Sequence, residues 1–442
     1  MHLRFWGTRG SIATPGPTTI HYGGNTSCVE LTTGAGAKLI FDCGTGSRPL
    51  GAELVATATG AITASLLLGH THWDHIQGFP FFAPAFVPGS KIDVYAPEGG
   101  QHSLQDILAG QMEFAYFPVE LKQLPATINY HDLAEGTHTI GGAKIITQYL
   151  NHPAVTLGYR IECDGAVVVY ITDHEPFAAT LWRSGAEPGQ IDSILHEGDR
   201  RHAKFMADAD LVIHDAQYTP EEYGAKKNWG HSPFDYVVEM AAAAGVRRLA
   251  LTHHDPGHND AFLKELEENA RAIARRCGSD LDVFCAYEGY TAVIESDIER
   301  QPKSVPTIVR HDVIPSKLRL LVVDDDDVLR LMTKSVLERQ GYIVSEGANG
   351  EEALQLISKE IPDLLVLDFM MPQLNGIEVL KRLHADPKTA GIPVLMLTGM
   401  DDEKSIRQAF DAGATDYLAK PFTSPQLTAR VRACLTRAAK NV

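Results

Sequence analysis

None of the six cysteines stands in a C-x-x-C pair; Cys28, Cys43, Cys163, Cys277, Cys285 and Cys434 are scattered along the chain. That spacing argues against a disulfide frame or a structural zinc knuckle and suits reduced thiols. Apolar runs are short, and none reaches the roughly 18 residues that span a bilayer, so no membrane partner is expected. The opening MHLRFWGTRGS lacks the long apolar core of a signal peptide, which leads to the expectation of a cytoplasmic chain. Positive charge is also scarce. Across residues 1–300 acidic side chains outnumber basic ones 37 to 21, which accounts for nearly all of the net −17. A surface this acidic repels a long polyanion, because nucleic-acid affinity rests on neutralising phosphates. Long nucleic acid is therefore disfavoured as a partner, whereas a small substrate held by metal ions is not excluded.

What is present reads as more than one domain. A chain of 442 residues with 44% apolar and 21% charged content is globular and too long for a single ordinary core. Residues 1–296 alternate strands with short helices. AKLIFDCGTG (37–46), ASLLLGH (64–70), AVVVYITD (166–173), ADLVIHD (209–215) and RRLALTHH (247–254) are apolar, β-branched-rich runs with His or Asp at or near their ends. Buried strands look like this, and polar residues gathered at their ends suggest a site along one sheet rim. SPFDYVVEMAAAAG (232–245) predicts a helix with Ser232 as N-cap, Pro233 at its first position and Gly245 after its end. Residues 297–316 hold three prolines and mixed charge without periodicity, and are expected to form a linker. Residues 317–442 then show five strand signals, LRLLVVDD, YIVSEG, DLLVLD, PVLMLT and TDYLAK, alternating with helices. Such a β-α repeat implies a small doubly wound parallel sheet.

LLLGHTHWDHIQG (66–78) concentrates the chemistry. His70, His72, Asp74 and His75 fall within six residues directly after an apolar run. A lone histidine is usually a packing residue, but four ligand-type side chains at H-x-H-x-D-H spacing point to a metal. Imidazole and carboxylate donors without thiolate suit zinc and also admit manganese or iron.

HTHWDH resembles the metal-binding motif of the metallo-β-lactamase fold, and other elements of that family follow in order. The resemblance covers nearly all of residues 1–296 and implies an αββα sandwich. It implies that Asp42 in IFDCGTG braces the ligand loop. It also implies that His70, His72, His152 and Asp173 hold one metal, while Asp74, His75, Asp173 and His253 hold a second. His253 is preferred over its neighbour His254 from the family pattern. Two metals of this kind can clamp a phosphoryl oxygen and share a hydroxide, a nucleophile at neutral pH.

The motif does not choose a substrate, since lactonases, thioesterases and phosphodiesterases share it. His72 argues against flavodiiron relatives, which usually carry an acidic residue there. VIHDAQYTPEEYGAKKNWGHSPFDYVVEMA (212–241) resembles ribonuclease Z-like phosphodiesterases, with an H-E-A-T-like run at His214–Gln217 and a G-H-S loop at Gly230–Ser232. The resemblance implies that His231 works with Asp74, donating a proton to the leaving oxygen or holding transition-state charge. Asp215 and Gln217 depart from the Glu and Thr of that run. Residues 176–206 do not resemble the basic arm with which many ribonuclease Z enzymes grip tRNA. The segment FWGTRGSIATPGPTTIHYGGNTSCVEL looks like that of bacterial metallohydrolases related to cyclic-nucleotide phosphodiesterases, which places Arg9 and His21 as candidate pocket residues.

The five strand signals of residues 317–442 carry a second resemblance, to the flavodoxin-like (βα)5 receiver domain of two-component response regulators. Asp324 and Asp325 match its acidic pair, Asp368 its phosphoacceptor, and Thr398, Tyr417 and Lys420 its switch residues. Three carboxylates at neighbouring strand ends suit Mg²⁺; Asp368 is the nucleophile, and Lys420 and Thr398 would receive the phosphoryl oxygens. Asp326 and Asp327 are expected to be solvated.

Together these features predict a phosphorylation-regulated dinuclear-metal hydrolase of a bacterial two-component system. Its expected substrate is a small phosphodiester such as a cyclic nucleotide or dinucleotide, and its expected partner a cognate histidine kinase; a homodimer is compatible with it. The alternatives are a lactonase or thioesterase, a non-enzymatic metal-binding signalling protein, and a short-RNA nuclease.

Overall fold

A computed structural model describes residues 1–98, 102–178, 180–183, 189–295, 318–399, 408–410, 412–422 and 424–438. The chain divides into two units. The linker expected over 297–316 lies outside the described residues. No helix among the described residues is long and apolar enough to cross a membrane.

The first unit holds two seven-stranded sheets. One comprises β1 (His2–Gly7), β2 (Cys28–Thr32), β3 (Lys38–Phe41), β4 (Thr63–Leu67), β5 (Lys91–Pro97) and β6 (Thr127–Leu133) in sequential order, with β14 (Thr291–Val293) beside β1. The other runs in order from β7 (Gly136–Ile140) through β8 (Ala143–Tyr149), β9 (Leu157–Cys163), β10 (Ala166–Ile171), β11 (Leu211–Asp215) and β12 (Arg248–Thr252) to β13 (Asp282–Cys285). The strands expected from the apolar runs are all present.

The sheets pack face to face through aromatic rings. Phe41 lies 5.1 Å from Tyr170 and 5.9 Å from Tyr159, centroid to centroid. The Tyr159 hydroxyl donates to the Leu68 carbonyl at 2.6 Å, so even the phenol at this interface is satisfied. Helix Ser47–Thr57 covers the outer face of the first sheet, burying Leu50 and Leu54 against Trp6 and Ile40. Helices Phe234–Ala243 and Asp260–Arg276 cover the second. The result is the expected four-layer αββα arrangement.

Register explains where the polar residues go. β3 and β4 are parallel with Phe41 opposite Leu67, and β10, β11 and β12 are parallel with Ile171 opposite His214 and Asp215 opposite Thr252. Asp42, His70, Asp173 and His253 therefore emerge from the carboxyl ends of parallel strands, where such sheets collect their sites.

One capping prediction is corrected. Helix Phe234–Ala243 follows Pro233 without a side-chain cap, because the Ser232 hydroxyl donates instead to the His174 carbonyl at 2.6 Å. Gly245 does close the helix, with φ +66°.

The second unit is a five-stranded parallel sheet, β15 (Arg319–Val323), β16 (Ile343–Gly347), β17 (Leu364–Asp368), β18 (Val394–Thr398) and β19 (Asp416–Ala419), in the order β16-β15-β17-β18-β19. Its helices are punctuated by short polar side chains. Asp326, expected to be solvated, caps helix Asp327–Arg339 by accepting from the amides of Val328 and Leu329. Asn375 and Glu378 form a capping box before helix Gly376–Ala385.

Behind the strand ends of the first unit lies a buried imidazole pair. His202 and His214 meet through their Nε2 atoms at 2.9 Å, and His214 Nδ1 donates to the Asp215 carbonyl at 2.7 Å. His214 Nε2 is then the acceptor and His202 Nε2–H the donor, so both rings are neutral. Burial pushes His202 well down and His214 to about 4. Between that value and the unfolded value near 6.5 the unfolded chain binds more protons, so stability is lost as pH falls through this window. For His214 the full loss is about 3 kcal/mol. The four tryptophans all lie before residue 296, so indole fluorescence reads this unit alone. In urea titrations of metal-free protein, the midpoint should fall from pH 7 to pH 5, and His202→Gln should make that fall shallower. Equal slopes in the two proteins would contradict the assignment.

Candidate functional site

Asp173 organises the first site. It follows β10 in a left-handed conformation, φ +58°, that non-glycine residues rarely adopt. Its two carboxylate oxygens face two different groups of side chains. Oδ2 lies 3.4 Å from His70 Nε2 and 3.7 Å from His152 Nε2. Oδ1 lies 3.3 Å from His75 Nε2 and 3.1 Å from His253 Nε2. His72 joins the first group through Nδ1, 3.3 Å from His152 Nε2. Asp74 joins the second, with Oδ2 at 3.3 Å from His75 Nε2 and 3.1 Å from His253 Nε2. The donor atoms of His70, His72, His152 and Asp173 thus converge, as do those of Asp74, His75 and His253.

These residues fit divalent ions on a structural criterion. Both ring nitrogens of His70 and Nε2 of His75 are buried without a hydrogen bond, which is costly for purely structural histidines and natural for ligands. The remaining ring nitrogens are oriented from behind. His75 Nδ1 bonds Asp42 Oδ2 at 2.8 Å, His152 Nδ1 bonds the Gly230 carbonyl at 3.0 Å, and His253 Nδ1 bonds Gln217 Oε1 at 3.0 Å. Each contact fixes the tautomer that turns Nε2 toward the centre. His254 points elsewhere, its Nε2 2.9 Å from the Ala286 carbonyl.

The electrostatics divide the histidines. Burial pushes His152 down to about 3 and lowers His70 as well, leaving neutral rings. Burial also opposes charge on His75 and His253, but the carboxylates around them prevail and raise both, His253 to about 9. Three buried carboxylates, Asp42, Asp74 and Asp173, require positive charge nearby, whether protons or divalent ions supply it.

Asp42 and His253 share the strained conformation of Asp173, with φ +57° and +60°. Asp42 is held by three donors, His75 Nδ1, the Tyr170 hydroxyl at 2.7 Å and the Gly69 amide at 2.8 Å. Gly10 passes so close to His253 that a Cβ there would lie 2.3 Å from its Nδ1. The next residue, Ser11, donates its amide to Asp74 Oδ2 at 2.7 Å.

His231 stands beside Asp173 and His253, its ring 4.9 Å from that of His253. Its hydrogen-bonded carboxylate is Asp215, with Nδ1 to Oδ2 at 3.1 Å, rather than Asp74. Asp215 also accepts from the amides of His174, Gln217 and Ser232, so one side chain ties the ends of β10 and β11 to the His231 loop. The two positions that depart from the H-E-A-T-like run are therefore both engaged, Asp215 with His231 and Gln217 with His253. Sequence reasoning missed both roles, and an acidic residue at the end of an apolar strand was the available signal. Arg9 does not line the pocket: it is fully buried, and its guanidinium donates to the carbonyls of Gly23, Asp255 and His258. His21 is exposed and stacks on Tyr287.

In the second unit, Asp324, Asp325 and Asp368 converge at the ends of β15 and β17. Lys420 Nζ bridges Asp324 Oδ2 and Asp368 Oδ1, 2.7 Å from each. Burial pushes the Asp368 carboxyl up to about 6 against the opposing pull of Lys420. Thr398 and Tyr417 are buried on β18 and β19.

Residues 38–254 match the Beta-lactamase superfamily domain, and residues 320–432 match the Response regulator receiver domain. Among curated proteins the chain is similar to the phosphate regulon transcriptional regulatory protein PhoB of Rhizobium meliloti, 39% identical over 124 residues, 28% of this chain and 55% of that one. The chain thus spans about half the length of this relative. Among solved structures it is similar to the metallo-beta-lactamase fold protein YhfI from Bacillus subtilis, 17% identical with TM-score 0.46 over 66% of this chain and 99% of that one. It is also similar to human tRNase Z, short form, 20% identical with TM-score 0.44 over 67% of this chain and 100% of that one.

The bracing of His75 gives a direct test. Asp42→Asn should weaken metal affinity about 10- to 100-fold in chelator competition, because the ring loses its carboxylate acceptor. Unchanged affinity would show that His75 needs no such support.

Proposed function

Because the chain carries a beta-lactamase superfamily domain followed by a response regulator receiver domain, we propose that it is a metal-dependent phosphodiesterase governed by phosphorylation of Asp368. The proposed substrate is a small phosphodiester, such as a cyclic nucleotide or dinucleotide. His70, His72 and His152 would hold one divalent ion, Asp74, His75 and His253 a second, and Asp173 would be shared. Bound there, such ions would polarise a phosphoryl oxygen and lower the pKa of water, and the donor set suits zinc while admitting manganese or iron.

The observation that best supports a phosphodiesterase is the His231–Asp215 pair beside Asp173 and His253. Hydrolysis of a phosphodiester breaks one P–O bond and expels an alkoxide, which needs a proton, and His231 is suited to hold one on Nε2 while Asp215 accepts from Nδ1. Asp215 acts here as a positioning residue. Gly10 lies against His253, and the Ser11 amide fixes the orientation of Asp74.

In the receiver, Asp368 is the proposed nucleophile toward a phosphodonor, with a histidine kinase as its partner in the cell. Mg²⁺ would sit among Asp324, Asp325 and Asp368. A phosphoryl group on Asp368 would draw Lys420 from its present bridge and offer Thr398 a strong acceptor, while Tyr417 is already buried.

Metal-loaded protein should hydrolyse bis-p-nitrophenyl phosphate, and His231→Ala should lower kcat about 10²- to 10⁴-fold on a dinucleotide, whose alkoxide leaving group needs the proton, with metal content unchanged. Turnover of lactones or thioesters alone would overturn the phosphodiesterase reading. Acetyl phosphate should label the wild type but not Asp368→Asn, and labelling should change the turnover rate. An identical rate in labelled and unlabelled protein would overturn the proposed regulation.

A further inference from the structure

Large apolar side chains are normally buried, and those left in solvent beside a polar cleft mark a binding surface. Two exposed indoles stand next in sequence to residues of the candidate metal site. Trp73 is 74% exposed and lies between His72 and Asp74; Trp229 is 58% exposed and lies two residues before His231. Contacts between their neighbours join the two positions: His72 meets His152, and His152 Nδ1 bonds the carbonyl of Gly230, next to Trp229.

Neither indole is exposed because its backbone is loose. Trp73 stands between side chains committed to the centre, and its carbonyl accepts from the Gln77 amide at 2.7 Å. Trp229 is held out by a buried carboxylate. Glu175 accepts the amides of Asn228 at 2.7 Å and Gly230 at 2.9 Å, and the Tyr223 hydroxyl at 3.0 Å. With the residues on both sides of Trp229 tied inward, the backbone that carries its exposed ring is held in place. The loop also carries a cation. Lys226 Nζ lies 4.2 Å from the Trp229 ring centroid and 5.7 Å from that of Tyr218, whose ring in turn sits 5.9 Å from His231. In a chain of net charge −17, an ammonium group on this wall favours an anionic ligand with a flat aromatic part.

We infer that Trp73 and Trp229 form a base-binding rim, so that the enzyme selects nucleotidyl phosphodiesters by stacking a nucleobase while the phosphate enters the metal centre. The inference rests on the phosphodiesterase reading and deepens it. Stacking on an aromatic side chain tolerates any base, so the rim supplies selectivity for nucleotides over other diesters without choosing among bases.

Calorimetric titration of the metal-loaded full chain with adenosine 5′-monophosphate and with ribose 5-phosphate separates base from phosphate. The nucleotide should bind roughly 10-fold or more tightly than the sugar phosphate. Trp73→Ala and Trp229→Ala should each reduce that preference several-fold, and Trp→Phe at either position should restore part of it. Both side chains are exposed, so the variants should keep the wild-type urea midpoint. Equal affinity for the two probes, unaltered by the variants, would overturn the base-binding rim and leave the phosphodiesterase reading intact. No binding of either probe, together with no turnover of any phosphodiester, would sink both. Loss of nucleotide binding only through a fall in metal content would also overturn the rim.

Discussion

A carboxylate buried among six histidines is the constraint on which the first unit depends. Asp173 cannot be buried as a carboxylate without compensating positive charge, and each of its oxygens faces a separate set of imidazoles. To bring those rings together, the chain draws side chains from the ends of strands in both sheets. It accepts left-handed backbone at Asp42, Asp173 and His253, at a cost of roughly 1–3 kcal/mol each. The surrounding hydrogen bonds make these conformations tolerable. Asp42 is held by three donors and His253 by Gln217, so the strain sits where the geometry is most tightly determined.

The side chains that converge in the first site were conspicuous in the sequence because most lie at one place in the chain or at the ends of apolar strands. His70, His72, Asp74 and His75 are nearly contiguous, and Asp173 and His253 each follow a β-branched run. The second ring of contacts was not readable in the same way. Asp215 meets His231 across 16 residues, Gln217 meets His253 across 36, and Ser11 meets Asp74 across 63. No local pattern encodes such pairs; they exist only once parallel strands have fixed which ends lie side by side. Ser232 shows the converse error. Its position before a proline predicts a cap, yet tertiary structure offers its hydroxyl the His174 carbonyl instead. Arg9 misleads for a related reason: a conspicuous charge in a glycine-rich loop proved to be a buried pin for three carbonyls.

The second unit's sheet was legible because a βα repeat fixes the order of its strands, and the three carboxylates at their ends converge. Asp324 and Asp368 share a single ammonium, Lys420, at equal distance. That sharing defines a device sensitive to charge, since anything added to Asp368 changes what Lys420 must neutralise. The two units thus present one chemical theme, carboxylates held at strand ends until a cation satisfies them. In one unit the theme suits hydrolysis; in the other it suits a reversible signal.

The central claim is that Asp173 is shared between two metal ions. Anomalous diffraction from metal-loaded crystals addresses it most directly. Two ions are expected, one on each carboxylate oxygen of Asp173, the first also bound by His70, His72 and His152 and the second by Asp74, His75 and His253. A single ion, or a second one away from Asp173, would contradict it.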